Sequence, residues 1–173
     1  MIRLFLVALA APLFLEAQVD TPVLSVGTGP GSFIGMGVSY DASASPKLVG
    51  HVWYASLVNK KAKVYSWTAV DLLYTKHANM STAVESGVAP WVRDIGKAHL
   101  YALGAAGAAV TSLTTTSNPS SPTVGGASTA GGLLVYPIKG GFSVGINIRM
   151  IKLTGATSQP AQASVGIDII YGK

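Results

Sequence analysis

Two runs near the C-terminus, FSVGINIRMI from Phe142 and QASVGIDIIY from Gln162, alternate apolar and polar residues with a period of two. That period marks a strand whose two faces meet different surroundings. In the first run Phe142, Val144, Ile146, Ile148 and Met150 share one side, and Ser143, Gly145, Asn147 and Arg149 share the other. In the second, Val165, Ile167, Ile169 and Tyr171 oppose Ser164, Gly166 and Asp168. One side is bulky and unbroken; the other is glycine, serine and a few charges. A water-facing strand surface would carry many Lys, Glu and Thr residues. A narrow lumen instead suits small residues with occasional ion pairs. The bulky side is therefore expected to face hydrocarbon.

Composition agrees. Hydrophobic residues make up 49% of the 173, and charged residues only 11%, well under the roughly 25% of an ordinary soluble domain. Mean hydropathy is +0.45. The length suits one domain, and the absence of cysteine excludes disulfides and thiolate metal sites. The N-terminus has Arg3, an apolar run over residues 4–15 and a small residue at Ala17, the pattern of a signal peptide over 1–17. Residues 18–31 then form a lead-in, in which 21–26 could add a short strand. Beyond residue 17 no apolar run approaches the ~18 residues of a membrane helix. An apolar, exported chain without such a helix has one spanning solution, a closed β-barrel.

Eight runs read as strands. They begin at Phe33, Lys47, Ala62, Met80, Gly96, Ser128, Phe142 and Gln162, and most reach the ~9–11 residues of a tilted membrane strand. The expected fold is all-β: an eight-stranded antiparallel up-and-down transmembrane β-barrel over residues 32–173. In the first run Ile34, Met36, Val38 and Tyr40 face lipid, against Phe33, Gly35, Gly37, Ser39 and Asp41. The second run, with His51 and Trp53 opposite Val52 and Tyr54, does not declare its faces. In the third, Tyr65 and Trp67 read as lipid-facing, which puts Asp71 on the same side, unless a bulge near Val70 reverses it or Asp71 lies above the hydrocarbon. Connections should alternate long outside and short inside. TSLTTTSNPSSPTVGGA is the longest outer one; NKKAK, a stretch around APWVRDI, and PIKGG are inner. Tyr65, Tyr136, Phe142 and Tyr171 would form an inner aromatic girdle, with Tyr40 and Tyr74 near the outer ends.

The closing strand SVGIDIIY is similar to the insertion signal of bacterial outer-membrane proteins: polar Ser164, Gly166 two later, then Ile169 and Tyr171. With the eight-run pattern, the chain resembles small outer-membrane barrels of the OmpA/OmpX-like type over about residues 32–171. The family usually ends on the aromatic residue, whereas Gly172 and Lys173 follow here. The resemblance implies a Gram-negative outer-membrane location and insertion by the barrel-assembly machinery.

Glu85, Lys97, Asn147, Arg149 and Asp168 are expected in the lumen as a polar network that fills it, since eight strands leave room only for side chains. Three histidines raise the question of catalysis. Lipid A deacylase barrels, which this chain resembles in size, carry His and Ser two residues apart on one strand. Here Trp53, Asn79 and Tyr101 follow His51, His77 and His99 at that spacing. A set assembled across strands from His99, Ser66 and Glu85 has no support from spacing. GTGPG at 27–31 lacks the Lys-Ser/Thr ending of a phosphate-binding loop. The net charge is +5. Lys47, Lys76, His77 and Lys152 fall near outer loops, within reach of lipid headgroups or lipopolysaccharide phosphates; Lys60, Lys61 and Lys63 fall in an inner turn and read as solvated. No basic stripe with interleaved aromatics suggests nucleic acid. The sequence thus leads to an integral outer-membrane protein with a structural or surface-interaction role through its outer loops. It is expected to be a monomer, not an enzyme, with no cofactor or metal. A lipid-modifying barrel enzyme and an exported soluble barrel holding an apolar ligand are the alternatives.

Overall fold

The computed structural model describes residues 31–41, 48–74, 80–112, 114–115, 118–119, 122–155 and 161–172. The signal peptide, the lead-in up to residue 30 and the extra strand at 21–26 lie outside them.

The described chain forms ten strands: β1 (Ser32–Asp41), β2 (Leu48–Asn59), β3 (Val64–Tyr74), β4 (Met80–Ile95), β5 (Ala98–Ser112), β6 (Thr114–Thr115), β7 (Asn118–Pro119), β8 (Thr123–Pro137), β9 (Phe142–Gly155) and β10 (Gln162–Gly172). Eight of them close into an antiparallel barrel, ordered β1-β10-β9-β8-β5-β4-β3-β2. The closing ladder runs from Phe33↔Gly172 to Asp41↔Ser164. Closure leaves the backbone groups of the wall paired with a neighbour, the condition for placing strands in lipid. The short β6 and β7 pair with each other inside the long β5–β8 connection.

Three connections are short: residues 60–63, 96–97 and 138–141. They lie at one end, called the inner end here because outer-membrane barrels keep short turns on the periplasmic side. The APWVRDI stretch, expected as a connection, is instead strand, because β4 continues to Ile95. The reversal falls at Gly96 and Lys97, where Gly96 takes a φ of 62° that most side chains disfavour. β4 also outruns its neighbour. Pairing with β3 ends at Val64↔Pro90, while pairing with β5 continues through a bulge between Trp91 and Arg93 to Ile95↔Ala98.

Period two decides the faces. Met36, Val38, Ile146, Ile148, Met150, Val165, Ile167 and Ile169 stand exposed on the outside, while Ser39, Ser143, Asn147, Arg149, Ser164 and Asp168 are buried inside. Such a continuous exposed apolar band would not be tolerated in water; hydrocarbon is its natural medium.

The expectation for β3 is overturned. Trp67 and Asp71 are both buried in the lumen, and Tyr65 packs there against Phe33 at 5.5 Å. No bulge occurs at Val70, which pairs in register with Val52 and Val84. Glycines on neighbouring strands leave room for the large side chains packed with these rings. A Cβ on Gly35 would collide with the Trp53 indole, and one on Gly145 would press on Ile170 and Leu133. Tyr65 therefore leaves the expected inner girdle. Tyr136 and Phe142 are exposed at that level, and Phe142 contacts Tyr171 with ring centroids 5.0 Å apart.

The interior is layered. At the inner end an apolar plug comprises Trp53, Ala55, Trp67, Ala89, Leu133, Val135 and Ile170, with Phe33, Tyr65 and Tyr101 against it. Trp53 and Trp67 stack at 4.4 Å and 27°. Toward the outer end a second apolar cluster holds Val49, Leu73, Ala83, Ala109, Ala127, Ile151 and Leu153. The polar residues lie between the two.

Candidate functional site

The middle layer is assembled from strands far apart in sequence. β10 supplies Asp168, β9 supplies Asn147 and Arg149, β2 supplies His51 and Trp53, β3 supplies Asp71, β4 supplies Glu85 and β1 supplies Ser39. All these side chains are buried. Each points inward because it occupies the lumenal phase of its strand.

Asp168 is the hub. Its Oδ1 lies 2.5 Å from His51 Nε2 and accepts from Asn147 Nδ2 at 2.8 Å. Its Oδ2 accepts from Trp53 Nε1 at 3.1 Å. Ser39 Oγ in turn donates to Asn147 Oδ1 at 2.8 Å. Gly37 makes this possible: a Cβ there would collide with Asp168 Oδ1 and crowd His51 Nε2. Arg149, the largest fully buried side chain, forms the second node. Its Nη1 meets Asp71 Oδ1 at 2.8 Å. Glu85 lies beside Thr129, within electrostatic reach of Asp71 and Arg149. Taking ions out of water costs several kcal/mol each; here Asp168 faces His51, Trp53 and Asn147, and Arg149 faces Asp71.

Of the five residues expected in the lumen, Glu85, Asn147, Arg149 and Asp168 lie in this layer. Lys97 does not; it is exposed in the β4–β5 turn. The chain reverses at that point, and solvent serves an ammonium better than a lumen would. His51, Asp71 and Trp53 belong to the layer but were not expected there; Ser39 was expected to face away from lipid but not to join the network. Period two groups Asp71 with Tyr65 and Trp67; reading that shared face as the lumen would have found it. His51 needed the partner strands to reveal its face.

The arrangement offers little chemistry. Ser39 donates to Asn147 rather than to the imidazole, and both apolar plugs separate the layer from solvent. The inner plug encloses a cavity of about 30 Å³ lined by aromatic and aliphatic side chains, scarcely one water in volume and without polar partners for it. His99, Ser66 and Glu85 do not converge. His99 pairs with Asp94 at the inner mouth at 2.6 Å, Ser66 bonds Ser56 at 2.8 Å, and Glu85 is buried in the lumen. Among the described residues no three His, Asp or Glu side chains are placed to hold a metal. Of the closing-strand signal, Ser164 and Gly166 face inward while Ile169 faces out.

No protein-family model matches the chain, and no curated protein matches it. Similarity to solved structures is confined to shape. Neisserial surface protein A (NspA) superposes with a TM-score of 0.62 at 8% identity, covering 82% of this chain and 96% of that one. The N-terminal β-barrel domain of Pseudomonas aeruginosa OprF gives 0.56 at 12% identity over 83% and 98%. The Yersinia pestis outer membrane protein Ail, solved in a phospholipid bilayer nanodisc, gives 0.52 at 13% identity over 83% and 100%. With the closed ladder and inverted faces, these likenesses show that the chain has the fold of small eight-stranded outer-membrane β-barrels.

Proposed function

We propose that this chain is an integral protein of a bacterial outer membrane that acts as a closed scaffold and presents its outer connections, chiefly the one between β5 and β8 (residues 113–122), to its surroundings. The single observation that carries this reading is the filled lumen: two apolar plugs enclose a hydrogen-bonded charge layer. A conduit would need continuous water, and an apolar carrier would need a cavity of several hundred Å³; the one within the inner plug holds about 30 Å³. That leaves the surface as the working part. The closing strand supports insertion by the barrel-assembly machinery, and exposed Lys152 near the outer end of β9 supports contact with lipopolysaccharide phosphates. Small barrels also serve as lipid-modifying enzymes; the separation of His99, Ser66 and Glu85 weighs against that reading.

The test is fractionation of the expressed protein, followed by gels with and without boiling. The scaffold reading expects recovery in the outer-membrane fraction and a heat-dependent shift in migration. It also expects lipid A acylation to be unchanged by expression. Recovery in the soluble periplasm would overturn the membrane reading. An acyl change lost in His99→Ala would restore the enzyme.

A further inference from the structure

Every inner turn carries a cation. Lys60, Lys61 and Lys63 lie in the β2–β3 turn, Lys97 in the β4–β5 turn and Lys139 in the β8–β9 turn, with Arg93 near the end of β4. Among the described residues at this end the acidic one is Asp94, and it is engaged. Its Oδ1 accepts from Trp91 Nε1 at 3.0 Å and from His99 Nδ1 at 2.6 Å. Lys63 is engaged too, its Nζ 4.1 Å from the Trp91 ring centroid. Lys60, Lys61, Arg93, Lys97 and Lys139 are exposed and, among the described residues, have no ion-pair partner.

These five cations border an apolar collar. Val58, Ile95, Tyr136, Ile138 and Phe142 are each about half exposed or more on the barrel's outside. Arg93 pairs with Leu100 and Ile95 with Ala98, while Asp94 between them pairs with His99. Arg93 and Ile95 therefore share the face opposite to Asp94. Long cationic side chains beside exposed apolar and aromatic residues are what a hydrocarbon–headgroup boundary selects, with stems in the apolar zone and heads beyond it. The outer end differs: among the described residues it carries Asp41 at the end of β1 and exposed Lys152 in β9.

We infer that the five cations form a ring that binds anionic phospholipid headgroups in the leaflet at the barrel's inner end. Phospholipid fits better than an anionic wall polymer because the cations surround the barrel at the edge of its apolar band. A wall polymer would call for a groove or an arm projecting from one side. Each basic side chain near an anionic surface is worth about fivefold in association, so several together give a clear preference over zwitterionic lipid.

The inference rests on the membrane reading above, and the test separates the two. The full protein is reconstituted into phosphatidylcholine bilayers doped with spin-labelled phosphatidylglycerol or spin-labelled phosphatidylcholine, and the motionally restricted fraction is measured. Labelled phosphatidylglycerol is expected to associate about fivefold or more above labelled phosphatidylcholine at low salt, falling toward parity near 1 M salt, where screening acts over about 3 Å. The combined variant Lys60→Gln, Lys61→Gln, Arg93→Gln, Lys97→Gln, Lys139→Gln should lose the preference, and Lys152→Gln, one cation at the other end, should lower it far less. A wild-type preference that is absent or indifferent to salt overturns the inference even if the combined variant does not fold. So does a folded variant that keeps the preference, an equal loss in Lys152→Gln, or charge-dependent binding to wall sacculi with lipid selectivity unaltered. If no restricted lipid of either kind appears, the membrane reading falls as well.

Discussion

Arg149 and Asp71 meet at 2.8 Å inside the barrel, with side chains 1% and 0% exposed. They come from β9 and β3, which do not pair with each other in the ladder. The contact therefore spans the lumen and links strands that no backbone hydrogen bond connects. It sits between the two apolar plugs, where water cannot replace either partner. Removing one partner leaves the other as an uncompensated buried charge.

Arg149→Ala or Asp71→Ala alone should therefore destabilise the barrel by about 3–5 kcal/mol. The paired change Arg149→Met with Asp71→Leu should recover most of that loss, because well-packed apolar residues can replace a buried pair at little net cost. Urea midpoints of the folded, heat-modifiable band give the comparison. Additive single and double effects would show that the two residues do not act as a unit.

Gly37 and Gly104 make a matched pair of glycines. A Cβ on Gly37 would collide with Asp168 and crowd His51, whereas one on Gly104 meets nothing within 4 Å. Gly37→Ala should cost about 1–3 kcal/mol through overpacking. Gly104→Ala, on the outside of β5, should leave stability within about 0.5 kcal/mol. Equal effects in the same urea titration would contradict the inward packing of Asp168.

The outer face can be tested by depth. Ile167 is 64% exposed within β10, well inside the strand, and Val58 is exposed next to the inner turn. Ile167→Arg should destabilise by about 2–4 kcal/mol in a bilayer, and Val58→Arg by about 0–1. If Ile167→Arg proves as benign as an ordinary surface change, hydrocarbon does not cover that face.

At the inner mouth, beyond the end of β3, hydrogen bonds from His99 and then Trp91 hold the Asp94 carboxyl below its usual 3.8. A depressed folded value means the stabilisation is present above the unfolded pKa and disappears as pH falls through the folded one. Carboxyl NMR titration should place the Asp94 midpoint below 3.8 in the wild type and closer to it in His99→Ala. An unchanged midpoint in that variant would remove His99 as the main cause.

Much of this protein was determined by local alternation. Ile146 and Ile148 against Asn147 and Arg149, or Ile167 and Ile169 against Asp168, state two faces whatever the rest of the chain does, because a strand turns successive side chains to opposite sides. Where the small face is glycine and serine, that alternation also says which side is the lumen. β2 and β3 resisted the same logic, since both of their faces carry large apolar or aromatic residues; β2 declared no face, and the size of Trp67 and Tyr65 pointed the wrong way on β3. Only closure of the barrel decided them: Gly35 and Gly37 on β1 and Gly145 on β9 vacate the space that Trp53, His51, Asp168 and Ile170 then fill. The volume available at a lumen position belongs to the neighbouring strands, where Gly35 pairs with Trp53 and Gly37 with both His51 and Asp168, so no single run could have announced it. The partners of Asp168 and Arg149 were settled in the same way. Charges on non-adjacent strands find each other only once register and shear have set which residues share a level, and that is a property of the whole closed sheet.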